Sequence, residues 1–170
     1  LGSNALRNNT TGENNTALGY RSLRLNTSGN GNNASGNQSL FSNTGGHYNS
    51  ASGHRSLYAN TTGGYNTSLG YSAGDVITTG SSNVVLGYDS NPSANSASNQ
   101  IVIGYGATGH GDNIAVIGNG SATAIHPQDD NEVDLGSSSY EYKDLYVDGT
   151  AYVDAIGMGS TAMTLPTADG

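Results

Sequence analysis

Apolar residues along this chain recur singly rather than in runs, and they keep step with glycine. Gly2, Gly19, Gly36, Gly53, Gly70, Gly87 and Gly104 stand 17 residues apart. With glycine at about 15% of positions, six successive matches by chance would be on the order of one in 10⁵, so the period is real. Further columns share its phase. Directly before the glycine come Leu1, Leu18, Ser35, Ser52, Leu69, Leu86 and Ile103. Two before it stand Ala17, Ala34, Ala51, Ser68, Val85 and Val102, and four before it Asn15, Asn32, Asn49, Asn66 and Asn83. Four after it stand Leu6, Leu23, Leu40 and Leu57, each followed by a turn cassette running from Asn9-Thr10-Thr11-Gly12 to Asn60-Thr61-Thr62-Gly63. After Gly104 the interval shortens to 14 residues, reaching Gly118.

The period selects the architecture. Seventeen residues are too few for a helix pair and too many for a heptad or collagen repeat. They suit one coil of an all-β solenoid, two short strands joined by two turns. One strand is predicted over residues 15–20, with Ala17 or Leu18 facing inward by two-residue alternation. The other is predicted over Ser22–Leu25, with the Asn-Thr-Thr-Gly cassette as the return turn. Coils stacked at roughly 4.8 Å place like residues on like, so one or two inward residues per coil build a continuous core. The column glycine then marks a tight bend or positive φ. The asparagine column is predicted to form an amide ladder.

Composition now becomes intelligible. Gly, Ser, Asn and Thr supply 85 of the 170 residues, whereas Leu, Ile, Val and Phe supply 28, and there is no Trp or Cys. Outside a repeat register, such a chain would lack the apolar surface to offset chain entropy. Even within it the core is thin, with Ser35 and Ser52 interrupting one apolar column. Tyr20, Tyr71, Tyr88 and Tyr105 recur just after the glycine, with Asn37 and His54 in the same column. The expectation is that several chains pack around an axis and share the second apolar column, with three-fold symmetry.

These repeats carry a resemblance. The segments NNTALGYRSLRLNTSGNGNN and YNTSLGYSAG resemble the head repeats of YadA-like trimeric adhesins, and more closely the 17-residue variant of bacteriophage tail fibres. The later coils, NQIVIGYGATGHGDNIAVIGNGS, are similar to the adhesin form, in which an apolar triplet precedes glycine. The segment NEVDLGSSSYEYKDLYVDG (131–149) resembles the stem of tail fibres that carry an endosialidase-type intramolecular chaperone further downstream; no such domain lies within these residues. The resemblance covers about residues 1–149 and implies a trimeric left-handed parallel β-roll. It implies no particular ligand.

The expected organisation is therefore a β-roll over 1–125, a neck or stem with short strands over 126–157, and a linker over 158–170. At His126-Pro127 the repeat stops, because proline resists further ladder pairing. Residues 140–147 and 150–153 alternate like short strands around an Asp148-Gly149 turn. Leu1 enters in mid-repeat, so the chain is expected to be a segment of a longer protein.

Charge narrows the partners. The net charge is −8, unevenly spread: Arg7, Arg21, Arg24 and Arg55 face one acid, Glu13, over residues 1–74, while Lys143 faces twelve acids over 75–170. The arginines read as solvated decoration, and the absence of a clustered basic face argues against nucleic acid. No apolar run approaches the ~20 residues of a membrane helix.

Candidate chemistry is sparse. His47 and His54 lie seven apart, and three-fold symmetry would gather copies of His54; a polar substitution in a repeat loop explains them without metal. Asp129, Asp130, Asn131 and Asp134 resemble a calcium loop in composition but lack its register. Asp75 and Asp89, 14 apart, are candidates for the carboxylate pair of a glycosidase on adjacent coils, with surface charge as the plainer reading. His110 has no identifiable Ser and Asp partners, and Gly104-Tyr105-Gly106 with Gly109 and Gly111 is better read as a solenoid turn than a phosphate loop. Stacked Thr10, Thr27, Thr44 and Thr61 fall in turns rather than on a flat ice-binding face.

No catalytic, metal or cofactor residues are assigned, and no receptor-binding residues are named. The leading expectation is a non-catalytic segment of a homotrimeric phage tail fibre, a rigid spacer in the virion that contacts a host-surface glycan or protein. A bacterial trimeric adhesin head on the outer surface is the alternative, and a glycan-degrading tailspike a third.

Overall fold

The computed structural model describes residues 2–122 together with Ile125 and Ser139. The neck, the linker and the Asp129–Asp134 group lie outside the described residues. A compact unit spans Leu1–Ala124. Within it each coil contributes one three-residue strand: β1 (Thr16–Leu18), β2 (Asn33–Ser35), β3 (Ser50–Ser52), β4 (Thr67–Leu69), β5 (Val84–Leu86), β6 (Ile101–Ile103) and β7 (Ala115–Ile117). They form one parallel sheet in chain order. The first five pairings are offset by 17 residues, from Ala17 opposite Ala34 to Val85 opposite Val102. The last is offset by 14, with Val102 opposite Val116. The described residues form an all-β parallel solenoid of about six turns.

Two-residue alternation left Ala17 and Leu18 as rival inward residues; the structure decides for Ala17, which is 3% exposed against 57% for Leu18. The core is thus the column Ala17, Ala34, Ala51, Ser68, Val85 and Val102, packed against Leu23, Leu40 and Leu57. Small buried residues at Ser22, Ser39, Ser56 and Ala73 fill the rest. The column glycines behave as the period required. Gly19, Gly36, Gly53, Gly70, Gly87 and Gly104 have φ between 131° and 143°.

The second predicted strand, Ser22–Leu25, is not a strand but a run of turns. Its backbone alternates in hand, with Arg21 at φ 58° and Leu23 at φ 47°. Its N–H groups reach both neighbouring coils: Arg21 donates to Ser3 O of the coil before (3.0 Å), Leu23 to Ser39 O (3.0 Å) and Leu25 to Phe41 O (3.1 Å) of the coil after. Neighbouring coils are therefore joined on this side without β geometry, and the Leu side chains still reach the core.

Two amide ladders run through the interior. In the expected one, Asn32, Asn49, Asn66 and Asn83 each donate from Nδ2 to the Oδ1 of the asparagine one coil earlier, at 3.0–3.1 Å. Each also donates to a turn carbonyl, as Asn49 does to Gly63 O at 2.8 Å. The second ladder is built from the cassette asparagines: Asn26 to Asn9 (2.6 Å), Asn43 to Asn26 (2.8 Å) and Asn60 to Asn43 (2.7 Å). It stops because the residue one coil after Asn60 is Ile77, which leaves Asn60 Oδ1 buried without a partner.

Ile77 is half of an exchange. One coil after Leu57 stands Gly74, at φ 64°, and a Cβ there would lie 3.4 Å from Ile77 Cδ1 and 3.1 Å from Leu57 Cδ2. Earlier coils use a leucine and an asparagine at these positions; this coil uses glycine and isoleucine to fill the same space. Ile77→Asn alone removes core volume and Gly74→Leu alone overfills it, each expected to cost about 2–4 kcal/mol. The double variant restores the leucine–asparagine pair and continues the ladder to Asn60. It is expected to be more stable than either single variant, with a coupling of roughly 2 kcal/mol or more in a double-mutant cycle from urea unfolding. Additive losses would disprove the exchange.

Candidate functional site

No helix occurs among the described residues, and none is therefore long and apolar enough to cross a membrane. No group of three or more His, Asp or Glu that could hold a metal occurs among them either. His47 lies in a turn, where its Nδ1 accepts the Asn30 N–H (3.1 Å). It serves the position that Asn30 serves one coil earlier, where Asn30 Oδ1 accepts the Glu13 N–H at 2.7 Å. His54 is stacked on Tyr71, ring centroids 5.0 Å apart. The two histidines are thus held in separate columns. Asp89 is exposed and Asp75 half-buried. His110 lines a depression of about 410 Å³ at the last coils, together with Thr108, Val116 and Asn119. The cassette threonines donate their hydroxyls to the next coil, as Thr10 does to Thr27 O (2.8 Å) and Thr27 to Thr44 O (2.9 Å), so these groups belong to the turn.

What the fold does bring together is aromatic. His54, Tyr71, Tyr88 and Tyr105 form a continuous stack with centroids 5.0–5.2 Å apart, because one coil step matches the spacing of stacked rings. Two further stacks were not anticipated: Phe41 on Tyr58 (5.2 Å) and Tyr48 on Tyr65 (5.3 Å). Each pair is spaced by 17, so its signal lies in the sequence, in columns other than the one after the glycine.

Arg7 is exposed, but the other three arginines are not solvated decoration. Arg55 lies over the Tyr58 ring at 4.4 Å, Arg21 over Tyr20 at 4.8 Å and Arg24 over Phe41 at 5.6 Å. The Nε of each is buried. Cation–π attraction and the apolar stem favour this arrangement over extension into water.

The outward face of the sheet is the remaining feature. Its residues are polar at Asn33, Ser35, Ser50 and Ser52. Leu18 on β1 is exposed, and from Leu69 onward the face becomes apolar throughout, with Leu69, Ile101 and Ile117 exposed and Val84, Leu86 and Ile103 half-buried. Comparison with protein-family models, curated proteins and solved structures finds no match for this chain. The fold itself defines a repeat protein of the β-solenoid class.

Proposed function

We propose that this chain is a non-catalytic structural segment of a homotrimeric viral tail fibre, a rigid spacer that also presents a surface for host attachment. The observation that carries the reading is the uncovered apolar sheet face over β4–β7, where exposed aliphatic residues stack on successive coils. Stacked Leu69, Leu86, Ile103 and Ile117 form a strip along the axis, the pattern expected where further copies pack side by side. Six coil steps of roughly 4.8 Å give a rod about 29 Å long whose coils are tied at both sides by backbone hydrogen bonds. Such a module suits a spacer better than a reaction site, and the tail-fibre resemblance of its repeats agrees with it.

Light scattering tests the assembly. The purified segment is expected at three times the 17.2 kDa chain mass. Leu69→Lys with Ile101→Lys places charges on the shared face and is expected to shift the mass to that of one chain, without loss of the circular-dichroism spectrum. A monomeric wild-type segment would overturn the trimer. Immunogold labelling of purified particles would place the protein on the tail or exclude it.

A further inference from the structure

One column of the solenoid departs from the residue types its backbone selects. The residue directly before each ladder asparagine or glutamine is left-handed: Asn14 (φ 56°), Gly31 (66°), Tyr48 (56°), Tyr65 (59°), Ser82 (61°) and Asn99 (54°). That conformation favours glycine and asparagine, and a bulky side chain in it is an outlier. Leu23, Leu40 and Leu57 also hold positive φ, but they are fully buried, and core packing offsets the strain. Tyr48 and Tyr65 are 57% and 64% exposed. Arg21, Gln38 and Arg55 share the conformation but are half-buried, so the two tyrosines are the large side chains that hold it most exposed, and strain held without burial points toward a ligand.

The surroundings say which kind. Tyr48 lies across Gly31, so closely that a Cβ there would come 2.6 Å from Tyr48 Cδ1. Tyr65 stacks on Tyr48 with an interplanar angle of 25°. The stack then ends, because the next residue of the column is Ser82, too small to cover the Tyr65 ring. Beside the rings is a shallow depression of about 420 Å³, lined by Asn30, His47, Thr62 and Ser81 as well as the tyrosines. His47 Nδ1 is already an acceptor for Asn30, which leaves its Nε2 to donate outward in the neutral ring. No acidic, lysine or arginine side chain lines the site. A preoriented aromatic platform ringed by neutral donors and acceptors matches a pyranose, which has an apolar C–H face and a rim of hydroxyls.

We propose that Tyr65, backed by Tyr48 and flanked by His47 and Thr62, is a subsite for an uncharged sugar ring of a cell-surface glycan. This rests on the attachment half of the proposed function; the trimer stands or falls separately by its mass. A second copy of the chain is the less apt occupant, since the stacked apolar strip left for it lies on the sheet face of β4–β7 and the tyrosine pair stands in the turns before β3 and β4.

The probe is an array of neutral hexose and N-acetylhexosamine oligosaccharides, with the best binder carried into saturation-transfer NMR on the trimeric segment. Tyr65→Asn is expected to weaken binding roughly ten-fold or more. Its Tm is expected to equal or exceed that of the wild type, because asparagine suits the left-handed backbone. Tyr105→Asn, in the other stack, should bind as the wild type does. Absence of saturable binding to any neutral glycan would overturn the proposal, as would unchanged binding by Tyr65→Asn. A lower Tm or a lost trimer in Tyr65→Asn would also overturn it, since the ring would then serve packing or assembly.

Discussion

Gly53→Ala is expected to split the solenoid at its middle. The residue sits at φ 131°, a conformation that residues with a Cβ rarely adopt. A Cβ there would also overlap the carbonyl oxygen of Gly70 in the next coil. Neither problem can be relieved locally, because the obstacle is backbone held by its own stack. The strained φ accounts for about 1–3 kcal/mol. Lost coil-to-coil bonds, among them Gly70 N–H to Ser52 O (2.9 Å), bring the expected total to roughly 4 kcal/mol or more. Against a stability of about 5–15 kcal/mol, that is enough to break cooperativity at one interface of a nearest-neighbour stack. Circular-dichroism melting should show a large drop or two transitions, with hydrogen exchange fastest around residues 50–70. Gly106→Ala is the control: φ is 58° and a Cβ there meets nothing within 4 Å, so about 1 kcal/mol is expected. Equal effects of the two substitutions would refute the close-approach account.

The second large effect is expected from Asn49→Leu, which keeps the branching at Cγ and removes the amide. Asn49 Nδ2 donates to Asn32 Oδ1 (3.1 Å) and Gly63 O (2.8 Å), while its Oδ1 accepts from the Asn66 N–H (3.0 Å) and Asn66 Nδ2 (3.1 Å). Leucine takes from the Asn66 N–H the acceptor it has in a dry interior, whereas the Gly63 carbonyl keeps Asn60 Nδ2 (3.0 Å), Asn66 Nδ2 keeps Gly80 O (2.9 Å) and Asn32 Oδ1 keeps the residue-49 N–H (3.0 Å). One orphaned N–H at about 1–3 kcal/mol, with three further amide hydrogen bonds lost, puts the loss at roughly 2–4 kcal/mol, measured by urea denaturation. A loss under 1 kcal/mol would mean the ladder is incidental to stability. The end of the ladder shows what a single change preserves. Gln100 still donates its backbone N–H to Asn83 Oδ1 (3.0 Å), but its longer side chain turns away to Ser93 (2.7 Å).

Much of this was legible in the residues. The 17-residue spacing of Gly19 to Gly104 implied a coil, a bend and a parallel register, and the Asn32–Asn83 column implied a ladder. The errors have specific causes. Ser22–Leu25 was read as a strand because inward and outward positions alternate there. Alternating left- and right-handed backbone produces the same two-residue pattern as a strand, so the pattern cannot separate them. The cassette asparagines were read only as turn formers, since the turn and ladder roles demand the same residue; they fill both. The arginines were read as solvated because their ring partners, Phe41 and Tyr58 among them, are met only by folding.

Low apolar content and a rigid 17-residue period were properties of the sequence by itself, and they determined which residues stack on which. Translation by one coil is a one-dimensional relation, so it can be counted along the chain. Side-chain direction is not. It depends on the hand of the backbone at each residue, and only the tertiary structure decided that Ala17 faces in and Leu18 faces out. The same hand holds Tyr48 and Tyr65 outward in a strained conformation, and leaves an apolar strip uncovered from β4 to β7.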